Sequence, residues 1–324
     1  MIGGLIFKKV LGSLLCLLLV LQTGAAAFAQ EDAREDRPRA TGAAVGIPSE
    51  EEAADLQEES AGFAGSEAET AAPDEAERLV DKLGRIEDTG QGLVFGADNR
   101  VWLDHEARTT YPYRAVVGLI VYMPNGDILT GTGTMISSNK VLTCGHCVYD
   151  PRVGWADSVE VIPGRSQDDW PYGSCWATNY VICSAWYESV EGNTREDYYN
   201  TSDYGYDLAV LTLDTPIGDT VGWAGMNWTT YSMDGQWVEA VGIPGSNLRM
   251  GSATGQIWEE TSESFSTQID LEPGQSGAPL LVDFGNGDYR IVGVHCSEVP
   301  EEGVNKAVRL TEDKYNWILQ EINN

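Results

Sequence analysis

His146, Asp207 and Ser276 are the residue types that nucleophilic attack on a carbonyl requires, and each sits in a segment suited to its part. His146 lies in Thr143-Cys144-Gly145-His146-Cys147, Asp207 opens the run Leu208-Ala209-Val210-Leu211, and Ser276 lies in Pro273-Gly274-Gln275-Ser276-Gly277-Ala278-Pro279. A serine hydroxyl must lose its proton to attack, so it needs a base; an imidazole base in turn needs a carboxylate to fix its tautomer and stabilise its cation. Asp203 is a nearby alternative for that carboxylate. Asp207 is preferred because it enters an apolar run able to bury it, whereas Asp203 is set among Ser202, Tyr204 and Gly205.

Gly274 and Gly277 flank the serine and allow backbone conformations that other residues resist. The N–H groups of Gly274 and Ser276 can then converge on a developing oxyanion, each donor worth about 2.7–4 kcal/mol. A Gly-x-Ser-Gly turn alone is common, and its weight comes from His146 and Asp207 preceding it in this order. The α/β-hydrolase arrangement needs Gly-x-Ser-x-Gly and the order serine, acid, histidine, and neither is present. Cys144-x-x-Cys147 lacks a second ligand pair at zinc-like spacing, so no metal is expected, and the chemistry calls for no cofactor.

The elements that must position these groups read as strands. From Val101 onward the chain is rich in Val, Ile, Thr, Trp and Tyr, punctuated by Gly, Pro, Asn and Asp clusters. Strands are expected at 115–122, 128–136, 159–162, 176–182, 208–213, 237–241, 267–271, 280–283 and 291–295, with another ending at Thr143. Tyr315, Ile318, Leu319 and Ile322 then form a helical stripe behind Thr311, a suitable N-cap. Residues 101–324 therefore predict an all-β domain long enough for two barrels, closed by a C-terminal helix.

Ahead of that domain, residues 1–29 read as a signal peptide: Lys8-Lys9, an apolar run from Val10 to Leu21, and Ala27-Phe28-Ala29 before Gln30. The run is short for a bilayer of about 30 Å, so a secreted, extracellular protein without a stable membrane anchor is expected. Residues 30–100 turn to Ala, Glu, Asp, Gly and Ser, the composition of an acidic, mostly disordered pro-segment or spacer, with one candidate helix at 74–88. Lys and Arg number 20 against 50 Asp and Glu, a formal charge of −30 that argues against a nucleic-acid partner. Five cysteines follow the signal, so export permits disulfides while leaving at least one thiol over.

These motifs resemble the chymotrypsin-like clan, and within it the bacterial glutamyl endopeptidases and their trypsin-like relatives. The resemblance runs over 101–324, through Tyr111-Pro112-Tyr113-Arg114-Ala115, Thr143 to Cys147, Pro171-Tyr172-Gly173-Ser174, Ala177-Thr178-x-Tyr180, the Asp207 run, the Ser276 turn and Val292-Gly293-Val294-His295. It implies two six-stranded antiparallel barrels, with His146 as base, Asp207 as orienting acid and Ser276 as nucleophile of a monomeric endopeptidase acting on polypeptides.

It also implies a preference for Glu or Asp at P1, the substrate residue before the cut. His295 matches the histidine that meets the substrate carboxylate in the glutamyl enzymes, where the mature terminal amine also helps; Val101 suits that terminus. Leu271 departs from the pattern, standing where relatives often place a hydroxyl. Asp270, six residues before Ser276, has the spacing of a trypsin-like cation-binding acid. A trypsin-like or small-apolar P1 preference thus stays open, as does a protease-shaped binding module without activity.

Overall fold

The computed structural model describes residues 37–49, 61–66, 93–192 and 203–324. The expected signal peptide, the candidate helix at 74–88 and most of the expected pro-segment lie outside the described residues. From Arg39 onward the chain forms one compact unit.

The first six barrel strands are β1 (Val116–Tyr122), β2 (Ile128–Met135), β3 (Lys140–Thr143), β4 (Ser158–Pro163), β5 (Cys175–Cys183) and β6 (Ala209–Leu213). They pair antiparallel in the order β1-β2-β3-β6-β5-β4, and β4 returns to β1 to close the barrel. The second six are β7 (Trp237–Gly242), β8 (Gly251–Glu260), β9 (Ser264–Thr267), β10 (Pro279–Asp283), β11 (Tyr289–Val299) and β12 (Val304–Arg309). Their order, β7-β8-β9-β12-β11-β10 and back to β7, repeats the first winding. Closure leaves neither sheet with a free lateral edge along the paired residues.

Every residue of β1 is buried, which explains its unbroken apolar sequence: one side faces the barrel interior and the other faces packed chain. One expected strand needs correcting. Residues 264–267, rather than 267–271, form β9, because the side chain of Asp270 and the N–H of Leu271 bond to residues 93–99 instead of to a sheet neighbour. Strands β8 and β12 carry no clear apolar alternation and were not expected.

Parts of the acidic N-terminal region rest on the barrels. Thr41–Val45 adds a parallel strand to the outer side of β5, Phe63 bridges to Trp223, and Val101–Trp102 pairs with β8. The terminal helix α1 (Glu312–Asn323) starts at Thr311, whose hydroxyl accepts the Lys314 N–H. It buries Tyr315, Trp317, Ile318 and Leu319, and Trp317 Nε1 donates to the Val45 carbonyl at 3.2 Å. No described helix is long and apolar enough to cross a membrane. All five described cysteines are buried free thiols, so the permitted disulfides are not formed among them.

Trp317 is fully buried. Trp317→Ala should destabilise the protein by about 3–5 kcal/mol, read as a lower urea midpoint at unchanged slope.

Candidate active site

His146 sits in a single 3-10 turn, Gly145–Cys147, directly after β3. Asp207 stands just before β6, fully buried. Because β3 and β6 are hydrogen-bonded neighbours, with Thr143 opposite Ala209, the turn after one and the residue before the other meet at the same barrel end. The Asp207 carboxylate takes two bonds from one residue: Oδ1 accepts the His146 backbone N–H at 3.0 Å, and Oδ2 lies 2.6 Å from His146 Nδ1. The carboxylate thereby selects the tautomer that keeps the proton on Nδ1 and leaves Nε2 as the basic nitrogen. Gly145 permits this approach, since a Cβ there would stand 2.7 Å from Trp186 Cε3 and 3.1 Å from Asp207 Oδ1.

Ser276 belongs to the second barrel, in the turn entering β10, and is 1% exposed. Its Oγ has no hydrogen-bond partner among the described residues. Gly274 and Gly277 adopt φ of +93° and +87°, and a Cβ on Gly277 would lie 2.0 Å from the Thr132 carbonyl, so both positions demand glycine. Neither Gly274 nor Ser276 spends its backbone N–H on another described group.

Thr132 of β2 was not expected to matter. Its N–H donates to the Ser276 carbonyl at 2.9 Å and its hydroxyl to the Gly274 carbonyl at 3.0 Å, while the same hydroxyl accepts the Ile243 N–H at 3.0 Å. Only its place between Gly131 and Gly133, where small neighbours let another chain approach, hinted at this in the sequence.

His295 of β11 lies beside the serine turn: its carbonyl accepts the Gly277 N–H at 2.8 Å and the Cys144 thiol at 3.0 Å. The ring is buried, and Nε2 has no partner among the described residues. Burial first, and then the nearby His146 charge, push its pKa down to about 3, so it is neutral near pH 7. Leu271 points into the apolar cluster of the second barrel with Phe265, Ile269 and Val292. Both oxygens of Asp270 are occupied by the backbone N–H groups of Phe95 and Asn99, and Val101 is exposed on β8.

Electrostatics stabilise the protonated form of His146, the form it takes once it has accepted a proton. Burial alone would lower its pKa, but the Asp207 carboxylate, and after it the Cys147 sulfur, outweigh burial and hold the pKa well above 6.5. Cys147 itself is drawn down to about 5 by the Cys144 thiol, against burial, with His146 adding to the effect. Cys144, His146 and Asp207 have ligand atoms within 4.8 Å of one another, yet a metal there would have to part the His146 Nδ1 and Asp207 pair. The donor set does not suit a resident ion.

Comparison with known proteins identifies the family. Residues 131–294 match the trypsin-like peptidase domain. The glutamyl endopeptidase of Bacillus licheniformis is 36% identical over 242 residues, 69% of this chain and 68% of that protein. A Bacillus subtilis protein named extracellular metalloprotease is 28% identical over 235 residues, with 69% and 68% covered. A solved Glu endopeptidase in complex with MPD superposes with a TM-score of 0.59 at 26% identity, over 72% of this chain and 100% of that one.

An NMR titration of the Ser276→Ala protein should place the His146 midpoint above 6.5. Cys147→Ala should lower it, since one source of the raised value is removed; an unchanged midpoint would assign the rise to Asp207 alone.

Proposed function

Since the chain belongs to the trypsin-like peptidase family and is a serine endopeptidase related to the glutamyl endopeptidases, we propose that it is secreted and cuts polypeptides after Glu or Asp. In this reading Ser276 Oγ attacks the scissile carbonyl while His146 Nε2 takes its proton, and Asp207 steadies the resulting imidazolium. The negative oxygen of the tetrahedral intermediate lies against the N–H groups of Gly274 and Ser276, both free of other bonds among the described residues. His146 then protonates the leaving amine, the acyl group stays on Ser276, and a water activated by His146 releases it.

The observation that carries the P1 preference is the buried Nε2 of His295, without a partner among the described residues, on the strand hydrogen-bonded to Gly277 and Ala278 directly after the serine. Without substrate the ring is neutral; an arriving carboxylate raises its pKa, so that the ring takes up a proton and donates from Nε2 in a charge-assisted bond. The sequence relation to a glutamyl endopeptidase supports the same choice. In the full chain both oxygens of Asp270 already accept hydrogen bonds from Phe95 and Asn99, so the trypsin-like alternative requires that segment to leave first.

Cleavage-site profiling on a peptide library tests this. The protein should cut after Glu and Asp, and His295→Ala should lower kcat/KM for Glu at P1 by roughly ten- to a hundredfold more than for an apolar P1, the worth of one charge-assisted hydrogen bond. Equal losses at every P1 residue would make His295 a support of the fold only.

The segment before Val101 is read as a pro-segment that ends at the Arg100–Val101 bond. N-terminal sequencing of the secreted protein should then begin at Val101, and a start well upstream, or inside β1, would reject that junction.

A further inference from the structure

Asp270 is fully buried, and its two oxygens accept the backbone N–H groups of Phe95 at 2.6 Å and Asn99 at 2.8 Å. The same stretch is tied at Leu93, whose carbonyl accepts from Leu271 N at 3.0 Å and from Asn305 Nδ2 at 2.9 Å, and whose N–H donates to Asn305 Oδ1 at 2.9 Å. At its far end Arg100, 8% exposed, donates from Nη1 to Glu272 Oε2 at 2.8 Å and to Gln275 Oε1 at 2.9 Å. Asp98 holds the rest of the guanidinium, at 2.9 Å from both Nε and Nη2. Residues 93–100 therefore grip the 270–275 loop at four places, the last of them next to the nucleophile.

We propose that Asp270 anchors residues 93–100 as an internal strap that shields the Arg100–Val101 bond and braces the turn before Ser276. It governs access to the processing junction and does not select substrate side chains. The proposal rests on reading Arg100–Val101 as that junction. A protease cutting there must extract Arg100 from a socket of carboxylate and amide oxygens. Removing the strap would leave a carboxylate buried without donors, a costly state that favours keeping residues 93–100 in place.

The test uses the full chain carrying Ser276→Ala, which cannot cut itself, with trypsin as the probe of Arg100–Val101. Asp270→Asn replaces one acceptor oxygen by an NH2 group facing a backbone N–H. It should speed trypsin cleavage after Arg100 at least tenfold and raise hydrogen exchange at Phe95 and Asn99 by a similar factor, with exchange in β1 and β11 unchanged. Glu272→Ala should also speed the cut, whereas Glu272→Gln, which keeps an oxygen for Arg100, should restore most of the protection. If Asp270→Asn loses slow exchange throughout, the Glu272 pair decides. Equal cleavage rates for the parent and Glu272→Ala, or for the parent and a folded Asp270→Asn, would overturn the proposal. So would a Ser276-bearing chain that cuts after Arg or Lys and loses that cleavage with Asp270→Asn. A natural start elsewhere than Val101 would refute only the junction, because trypsin reads the strap independently.

Discussion

Thr132 joins the two halves of the machinery. The His146–Asp207 pair is built by the first barrel and Ser276 by the second, and two closed barrels have no covalent reason to hold a fixed distance. One threonine of the first barrel supplies a backbone donor to the Ser276 carbonyl and a hydroxyl donor to the Gly274 carbonyl, while accepting from Ile243 of the second. The Thr132 carbonyl is itself fixed by the Thr143 hydroxyl at 2.7 Å, at the end of the strand that delivers His146. A single short relay therefore ties the position of Ser276 to that of His146. Catalytic geometry tolerates little looseness, and these bonds are buried, where an unmade one costs most.

The two histidines near the serine are tuned in opposite directions by the same low-dielectric surroundings. His146 has a carboxylate beside it and is biased toward the cation; His295 has none, and burial with a neighbouring positive ring keeps it neutral. If both were charged together they would repel at close quarters. Keeping His295 neutral reserves the fixed anion, Asp207, for His146 alone, and in the proposed function it leaves His295 responsive to an anion that a substrate brings.

The strands that bury apolar residues on both faces, β1, β5 and β6, were legible because their sequences leave few other choices, and so was the Asp207 run, an acid set against residues that must be interior. The histidine and serine motifs were legible as local chemistry. What escaped was information that lies in contacts across the chain. Strand β8 reads Gly-Ser-Ala-Thr-Gly-Gln, small and polar, and forms because β7 and β9 supply partners on either side. Thr132 looked like any strand threonine, since its value comes from a loop more than a hundred positions away. Asp270 had the spacing of a substrate-binding acid, and nothing local showed that Phe95 and Asn99 would occupy it.

The hydrogen bond from Trp317 to Val45 spans 272 positions and joins a segment near the start of the chain to the last helix. A contact of that separation closes a very large loop and gains nothing until both barrels stand between its ends. A chain is made from its N-terminus, so Val45 emerges before Trp317, and this bond can form only after the residues between them have been made. The tie is therefore late by its place in the sequence: the seat of Thr41–Val45 is completed by a helix that lies beyond the strands of both barrels.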